Sequence, residues 1–219
     1  ASLGGEMKLG VICDGISRDL AHSLNVMDEF GLEYAELQFV GDKEVGDHSK
    51  TEIKEIDTLL RDRGKPVSCL SRHIFAGMTS QNKPGDELHL KHMDALKRVV
   101  EMAHIVGSPF VRIMTQKKEQ ILWGFHGAEK WNVAHGAWDS MPPLIEPAVD
   151  FARSAGVKLA VETGNGTMVN SNYTARKLTD ELNAKDTLKV LWDPGNNCWC
   201  HELAFPDGYE EVRDGYLGH

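Results

Sequence analysis

Apolar residues recur along this chain with two different spacings. Five segments carry them at intervals of three and four residues, as amphipathic helices do: residues 19–30, 51–63, 87–106, 142–155 and 173–183. Short runs of β-branched and other apolar residues separate these segments and predict six strands. The first strand is expected at residues 8–13 and the last at 188–193, so strands and helices alternate.

Glycines mark the passage from helix to strand. Gly31, Gly64, Gly107 and Gly156 each stand between a helical segment and an apolar run, where the left-handed turn that ends a helix favours glycine. The strands expected after these glycines are residues 32–40, 65–70, 108–114 and 157–162. This alternation predicts a parallel α/β sheet, either a barrel or a doubly wound open sheet. The turn around Gly15, after the first strand, lacks the Gly-x-Gly-x-x-Gly spacing of dinucleotide-binding sheets, which favours the barrel.

The length of the chain indicates a single domain over residues 1–219. A TIM (β/α)8 barrel has eight strands and typically about 250 residues, whereas six strands are predicted here. Residues 216–219 have the pattern expected at the start of a seventh strand. We therefore expect a TIM barrel that lacks the last one to two βα units, in a C-terminally incomplete chain.

Composition and charge narrow the functional classes. The formal net charge of −9 disfavours nucleic acid or an anionic membrane as a partner. No apolar run approaches the ~20 residues of a membrane span, and the first residues lack the regions of a signal peptide. The four cysteines are too scattered for a disulfide framework, and Cys198-x-Cys200 lacks a second pair to complete a tetrahedral metal site. We expect a cytoplasmic protein that acts on a small molecule.

Two carboxylates, Glu162 and Asp193, each close a β-rich run where a turn begins. They lie thirty-one residues apart, which matches the roughly 30 residues of a strand, a helix and two loops, so they belong to neighbouring parallel strands. Side-chain alternation places both acids on the face opposite the bulky apolar residues. The carboxyl ends of such strands carry the active sites of α/β barrels, and the pair therefore predicts a metal site there.

Five further residues are candidates for substrate binding: His73, Arg112, Glu36, Asn165 and Asn196. His73 is expected just after the third strand, with either a structural role or a hydrogen bond to a substrate hydroxyl. Arg112 is expected to point inward, either to substrate oxygens or to balance the charge of Glu162. Glu36 either orders the polar interior or contacts the ligand, and the two asparagines either orient the acids or form turns.

Two long connections, residues 72–86 and 116–141, are candidates for lids over the barrel, since long loops in compact domains commonly have that function. The alternative is that their aromatic residues pack the loops onto the barrel. The histidines and tryptophans in them are His73, His126, His135, Trp123, Trp131 and Trp138.

Three motifs occur in order at residues 161–165, 191–196 and 215–219: Val-Glu-Thr-Gly-Asn, Leu-Trp-Asp-Pro-Gly-Asn and Gly-Tyr-Leu-Gly-His. With them, the chain resembles the sugar phosphate isomerase/epimerase superfamily of xylose isomerase-like TIM barrels. The resemblance implies a divalent cation held by Glu, Asp, His and Glu on four late strands, of which Glu162 and Asp193 match the first two. His219 matches the first histidine of a Gly-His-x-His segment, whose second histidine is the ligand, and is therefore not counted as one.

The same resemblance implies the chemistry. Oxygen-rich ligands favour Mn²⁺, with Mg²⁺, Co²⁺ or Zn²⁺ as alternatives, and the ion would chelate a carbonyl and an adjacent hydroxyl of a sugar or polyol. Glu162 would be both a ligand and a general base or acid. The family is usually oligomeric, so a homo-oligomer is expected.

Three rival functions remain. A dehydratase acting on a keto-polyol would begin with the same proton abstraction on the same scaffold. A related abasic-site endonuclease is disfavoured by Asn196, which stands where those nucleases have a histidine, and by the negative charge. A metal-free barrel that only binds a ligand is the third.

Overall fold

A computed structural model describes residues 8–118, 138–200 and 202–219 of the chain. Its strands are β1 (Gly10–Ile12), β2 (Tyr34–Leu37), β3 (Phe39–Val40), β4 (Lys43–Glu44), β5 (Val67–Ile74), β6 (Phe110–Ile113), β7 (Lys158–Glu162) and β8 (Leu188–Leu191). Its helices are α1 (Leu20–Phe30), α2 (Lys50–Asp62), α3 (Glu87–Val106), α4 (Pro142–Ala155), α5 (Asn172–Glu181), α6 (Pro194–Trp199) and α7 (Tyr209–Val212). His126, His135, Trp123 and Trp131 of the second long connection lie outside the described residues.

Six strands form one parallel sheet in the order β1-β2-β5-β6-β7-β8. Strands that follow each other along this order are joined by helices α1 to α5, which gives the α/β TIM-barrel-like fold. Beyond β8, Val190 N donates to Tyr216 O at 2.8 Å and Trp192 N donates to His219 O at 2.9 Å. Residues 216–219 therefore pair with β8 in parallel, as the expected start of a seventh strand should.

The helices follow the apolar spacing, and their ends follow the local chemistry. Asp19 and Asp86 accept hydrogen bonds from the first backbone N–H groups of α1 and α3, which is the usual role of an N-cap aspartate. Gly31 and Gly107 end the same helices with φ of 67° and 71°, values that favour glycine. The predicted helices are confirmed to within two residues at each end.

The core lies between the sheet and the helices packed on its outer face. On β7, Leu159 and Val161 are fully buried beneath the helices, whereas Glu162 at the strand end is half-buried. On β8, Leu188 and Val190 are fully buried in the same way. Alternation therefore directs the apolar side chains outward to the helices and leaves the inner face of the sheet for polar groups.

Three local features differ from the expectation. Residues 32–40, expected as one strand, form β2 and then the antiparallel hairpin β3–β4, which turns at Gly41 with φ 60°. His73, expected after the third strand, is the second-last residue of β5, because that strand continues to Ile74. The last strand ends at Leu191, and Asp193 caps the short helix α6 instead of closing the strand.

The four cysteines are free thiols. Cys198 is exposed and Cys200 is fully buried, so the two side chains of Cys-x-Cys lie in different environments. Burial raises the pKa of Cys13 and of Cys69 to about 12. None of the helices in the described parts of the chain is long and apolar enough to cross a membrane.

The buried carboxylate of Glu202 caps the start of α5 from a distant part of the chain. Its Oε2 accepts a hydrogen bond from Asn172 N at 2.9 Å, and its Oε1 accepts one from Tyr173 N at 3.1 Å. Asn197 Nδ2 also donates to Oε2. A negative charge is stabilised at a helix N-terminus, both by these donors and by the helix dipole.

We expect Glu202→Gln to lower the free energy of unfolding by about 2–3 kcal/mol, because hydrogen bonds to a charged acceptor contribute about 1.5–3 kcal/mol each and the amide loses part of them. Urea denaturation measures the change. Glu101→Gln, at an exposed position of α3, is the control and should change the value by less than about 0.5 kcal/mol. Equal stabilities of the two variants would contradict the capping role.

Candidate active site

A cavity of about 320 Å³, lined by both charged and apolar residues, lies on the inner face of the sheet. All six strands of the sheet, and the segment after α7, contribute residues to it. Its lining residues are Gly10, Val11, Ile12, Glu36, Ser68, Arg112, Glu162, Leu191 and His219. Three of the residues that the sequence selected, Glu36, Arg112 and Glu162, thus share one space.

Arg112 and Glu162 form an ion pair inside this cavity. Arg112 is on β6 and Glu162 ends the neighbouring β7; Arg112 Nη1 lies 3.0 Å from Glu162 Oε2. Arg112 Nη2 also donates to Ser71 O at 3.1 Å, and the side chain is 8% exposed. Of the two roles left open for this arginine, balancing the charge of Glu162 is the one that the structure displays.

The Oε2 atom of Glu162 is buried, and within the described residues it has no aligned hydrogen-bond donor, although the Arg112 cation is close. Burial raises the pKa of Glu162, the Arg112 cation opposes this, and the negative charges of Asp193 and Glu36 raise the pKa further. The result is a carboxyl group that releases its proton less readily than an ordinary glutamate, as is common for groups that transfer protons in active sites.

The pKa of Glu36, on β2, is shifted in the opposite direction to that of Glu162. The Oε2 of Glu36 lies 2.9 Å from His219 Nε2, and the hydroxyl of Ser71 donates to its Oε1. Burial raises the pKa of Glu36, but the hydrogen bonds from His219 and Ser71 outweigh it, so the net shift is downward. Glu36 therefore stays ionised where Glu162 retains a proton more easily, and such divergent pairs are typical of acid–base sites.

Asp193 lies at the same sheet edge but does not line the cavity. Its Oδ1 accepts from Asn196 N at 3.1 Å and its Oδ2 from Asn196 Nδ2 at 2.7 Å. Asp193 N in turn donates to Thr163 Oγ1 at 3.0 Å, and Asn196 Nδ2 also donates to Thr163 O at 2.9 Å. Asn196 therefore orients Asp193 and links it to the residue that follows Glu162.

The other two candidates lie outside the cavity lining. His73 stands near the end of β5, where its Nδ1 lies 2.8 Å from Glu44 Oε1. Asn165 is half-buried in the turn after β7. The structure thus gathers Glu36, Arg112 and Glu162, places Asp193 with Asn196 beside them, and leaves His73 and Asn165 around the cavity.

Sequence reasoning missed Glu44 and the contact that His219 makes. Glu44 follows a Gly41–Asp42 turn, and a Gly-Asp pair is a hairpin signal, but the charged residues Lys43 and Glu44 after it do not have the apolar pattern of a strand. His219 was considered only in relation to a metal. No sequence signal indicated its contact with Glu36, because these residues lie 183 positions apart and meet across the barrel interior.

The described residues fit part of a divalent-metal site. Glu162 has a buried oxygen without an aligned donor, and Asp193 follows the neighbouring strand, so both match the oxygen ligands of hard cations. Within the described ranges, however, no group of three or more His, Cys, Asp and Glu side chains is arranged to hold an ion. Glu162 and Asp193 therefore remain candidate ligands, and the described ranges add no third one.

A family model described as xylose isomerase-like TIM barrel matches residues 24–219. The chain belongs to the xylose isomerase-like TIM barrel family. A comparison with curated protein sequences finds no significant match for this barrel.

Solved structures share the fold of this xylose isomerase-like barrel at low sequence identity. The 3-keto-D-glucoside 4-epimerase YcjR from E. coli, in its apo form, is 17% identical with a TM-score of 0.69, over 98% of this chain and 78% of that one. The probable 3-DHS dehydratase AsbF from Bacillus anthracis is 15% identical with a TM-score of 0.70, over 97% and 72%. The IolI protein with a bound zinc atom is 17% identical with a TM-score of 0.68, over 96% and 70%.

These likenesses confirm the TIM-barrel-like fold and the family that the motifs indicated. The family includes sugar epimerases, isomerases and dehydratases. At identities this low the structural neighbours show the fold of this chain, and its reaction is a separate question.

Proposed function

We propose that this barrel is a divalent-metal-dependent isomerase or epimerase of a small sugar or polyol. The observation that carries the proposal is Glu162, a carboxyl group at the carboxyl end of a barrel strand that lines the cavity and pairs there with Arg112. Glu162 would move a proton to or from the substrate carbon next to a carbonyl. The three epimerase, dehydratase and zinc-bound neighbours have the same fold, which is consistent with this chemistry.

Glu162 and Asp193 would hold the cation, and Mn²⁺ is the first choice, with Mg²⁺, Co²⁺ or Zn²⁺ as alternatives. When bound, such an ion chelates a carbonyl and an adjacent hydroxyl and so acidifies the intervening C–H bond. Asn196 would keep the Asp193 carboxylate in place through its two hydrogen bonds.

The remaining residues would bind the substrate. Arg112 would hold Glu162 in position and present its unpaired, buried Nε to a substrate oxygen. Glu36 would accept hydrogen bonds from hydroxyl groups, since it stays ionised. His73 and Asn165 would contact the substrate from the rim. The ligand would be neutral, because Arg112 already pairs with Glu162, and rich in hydroxyl groups, because Glu36, Arg112 and Glu162 line the cavity and can accept or donate hydrogen bonds.

A dehydratase acting on a keto-polyol is the second candidate, favoured by the structural likeness to AsbF. Both reactions begin with removal of a proton next to a carbonyl. They differ in the next step, in which a dehydratase expels a hydroxyl group as water and an isomerase returns the proton to carbon.

Incubation with Mn²⁺ and a panel of ketoses and keto-inositols in D₂O distinguishes the two. An isomerase or epimerase should give products in which deuterium replaces a carbon-bound hydrogen, while a dehydratase should give products that have lost one water. Mass spectrometry measures both. If metal-loaded protein gives neither turnover nor deuterium exchange with any member of the panel, the enzymatic proposal is wrong and a binding function is favoured.

A further inference from the structure

The hairpin β3–β4 and the loop after it are fixed beside the carboxyl end of β5 by two arginines. Arg72 of β5 lies 2.8 Å from Asp47 and 3.5 Å from Glu44. Arg98 of α3 lies 2.9 Å from Asp47 on its other oxygen. Because these contacts come from both a strand and a helix, Glu44 has a defined position relative to the barrel.

Glu44 contacts His73 through both the backbone and the side chain of the histidine. Its Oε1 accepts a hydrogen bond from His73 N at 3.0 Å and lies 2.8 Å from His73 Nδ1. The Glu44 side chain is 18% exposed and that of His73 is 46% exposed. The carboxylate is thus sheltered behind an imidazole whose other edge is accessible.

These contacts determine the tautomer of His73. Glu44 stays ionised because, although burial raises its pKa, the hydrogen bonds from His73 and the charge of Arg72 together lower it more. A carboxylate only accepts hydrogen bonds, so Nδ1 of His73 carries the hydrogen. The neutral ring then has a lone pair on Nε2, and the amide Nε2 of Gln38, a donor, lies 3.3 Å from that atom. The contacts of Glu44 and of Gln38 therefore both favour the tautomer with hydrogen on Nδ1.

The chain on the other side of His73 is also constrained. Phe75 has φ 64°, a left-handed conformation that costs a non-glycine residue free energy and persists only where the surroundings impose it. The Phe75 ring is 1% exposed, with centroids 5.8 Å from His89 and 5.7 Å from His92, and Phe75 N donates to His92 Nδ1 at 3.1 Å. This arrangement fixes the end of β5 immediately after His73.

We infer that Glu44 is a positioning residue that holds His73 with Nε2 presented to a hydroxyl group of the bound sugar or polyol. A hydroxyl donates more strongly than the amide of Gln38 at 3.3 Å, so the substrate would replace Gln38 as the partner of Nε2. His73 lies two residues after Ser71 on β5 and so shares its face of the sheet, and Ser71 donates to the cavity residue Glu36. The inference rests on the proposed function, since it assigns part of the binding of that substrate.

The test uses Glu44→Gln, which keeps the size of the side chain but can donate as well as accept. In the substrate-free protein, ¹⁵N NMR of His73 should show hydrogen on Nδ1 for the wild type and a mixture of tautomers for Glu44→Gln. With a substrate that the wild type converts, kcat/KM should fall about tenfold, the equivalent of one hydrogen bond. His73→Ala should lower kcat/KM similarly, and the double variant no further than His73→Ala alone.

Glu52→Gln is the matched control, because Glu52 pairs with Lys43 of the same hairpin at 2.6 Å; it should leave the tautomer and kcat/KM unchanged. An unchanged tautomer in Glu44→Gln, an unchanged kcat/KM, or additive losses in the double variant would each overturn the inference while the proposed function stands. If the wild type converts no sugar or polyol, the proposed function fails and this inference fails with it.

Discussion

Glu162→Gln is expected to lower kcat by about 10²–10⁴-fold, the usual contribution of a positioned acid or base. The amide keeps the shape of the carboxyl group at the end of β7 but cannot exchange a proton, and it is a weaker ligand for a divalent ion. Turnover of the accepted sugar measures the first effect, and metal content after dialysis against Mn²⁺ measures the second. Both should fall in the same variant, because the proposal gives Glu162 both roles.

Glu55→Gln, at an exposed position of α2, is the matched control and should keep full activity and metal content. Two other results would separate the roles of Glu162. A variant that keeps its metal but loses turnover would assign the residue to proton transfer alone. A Glu162→Gln variant with more than about a tenth of wild-type activity would refute the role as base, since general bases contribute at least about 10²-fold.

The sequence predicts the long elements of this fold well because their signals are repeated over many residues. The helix α3 of twenty residues has apolar side chains on one face throughout, and its ends carry Asp86 and Gly107 with their own local preferences. The expected bounds 87–106 match the structure. The parallel strand order follows from the alternation of strand and helix and needs no knowledge of individual contacts.

Short elements were missed because two to six residues carry too little pattern. The strands β3 and β4 have two residues each, so alternation within them is not informative. The structural position of Asp193 was mispredicted for a different reason. The prediction assumed that Asp193 continues the side-chain alternation of β8. The strand instead ends two residues earlier, at Leu191. Aspartate is favoured as an N-cap and Pro194 is favoured at the first helical position, so Asp193 begins α6. That local preference was present in the sequence.

In the candidate site, the positions of single residues were predictable and their contacts were not. Glu162 and Arg112 could be placed on the inner face from alternation alone, and both line the cavity. Partners could not be predicted in this way. The contacts of Glu36 with His219 and of His73 with Glu44 join different elements, and they depend on the curvature of the sheet and on a hairpin that was not predicted.

Removal of the positive charge of Arg112, which pairs with Glu162, is expected to have the second largest effect. In Arg112→Met the side chain keeps its length and loses its charge, while Glu162 stays buried near the negative charges of Asp193 and Glu36. The pKa of Glu162 in the metal-free protein should therefore rise above its already raised wild-type position, because Arg112 is the largest influence that lowers it. Titration of ¹³C-labelled glutamate side chains by NMR measures this shift.

The same substitution should destabilise the fold in a pH-dependent way. Loss of one partner of a buried ion pair costs about 3–5 kcal/mol, but protonation of Glu162 removes the unpaired charge. The folded-state pKa of Glu162 is raised, so the loss is small below the unfolded-state pKa of about 4.3 and grows as the pH rises through the folded-state pKa. Urea denaturation of wild type and variant across this pH range measures the difference.

Two further variants show whether loss of the Arg112–Glu162 ion pair causes the pH-dependent destabilisation. Arg153→Met removes an exposed arginine that pairs with Asp150 at 2.9 Å, and it should cost no more than about 1 kcal/mol. The double variant Arg112→Met with Glu162→Gln leaves no buried charge at residue 162, so it should be more stable at neutral pH than Arg112→Met alone and lose the pH dependence. A pH-independent loss in Arg112→Met, unrelieved in the double variant, would mean that Arg112 acts through its hydrogen bond to Ser71 O and through packing instead.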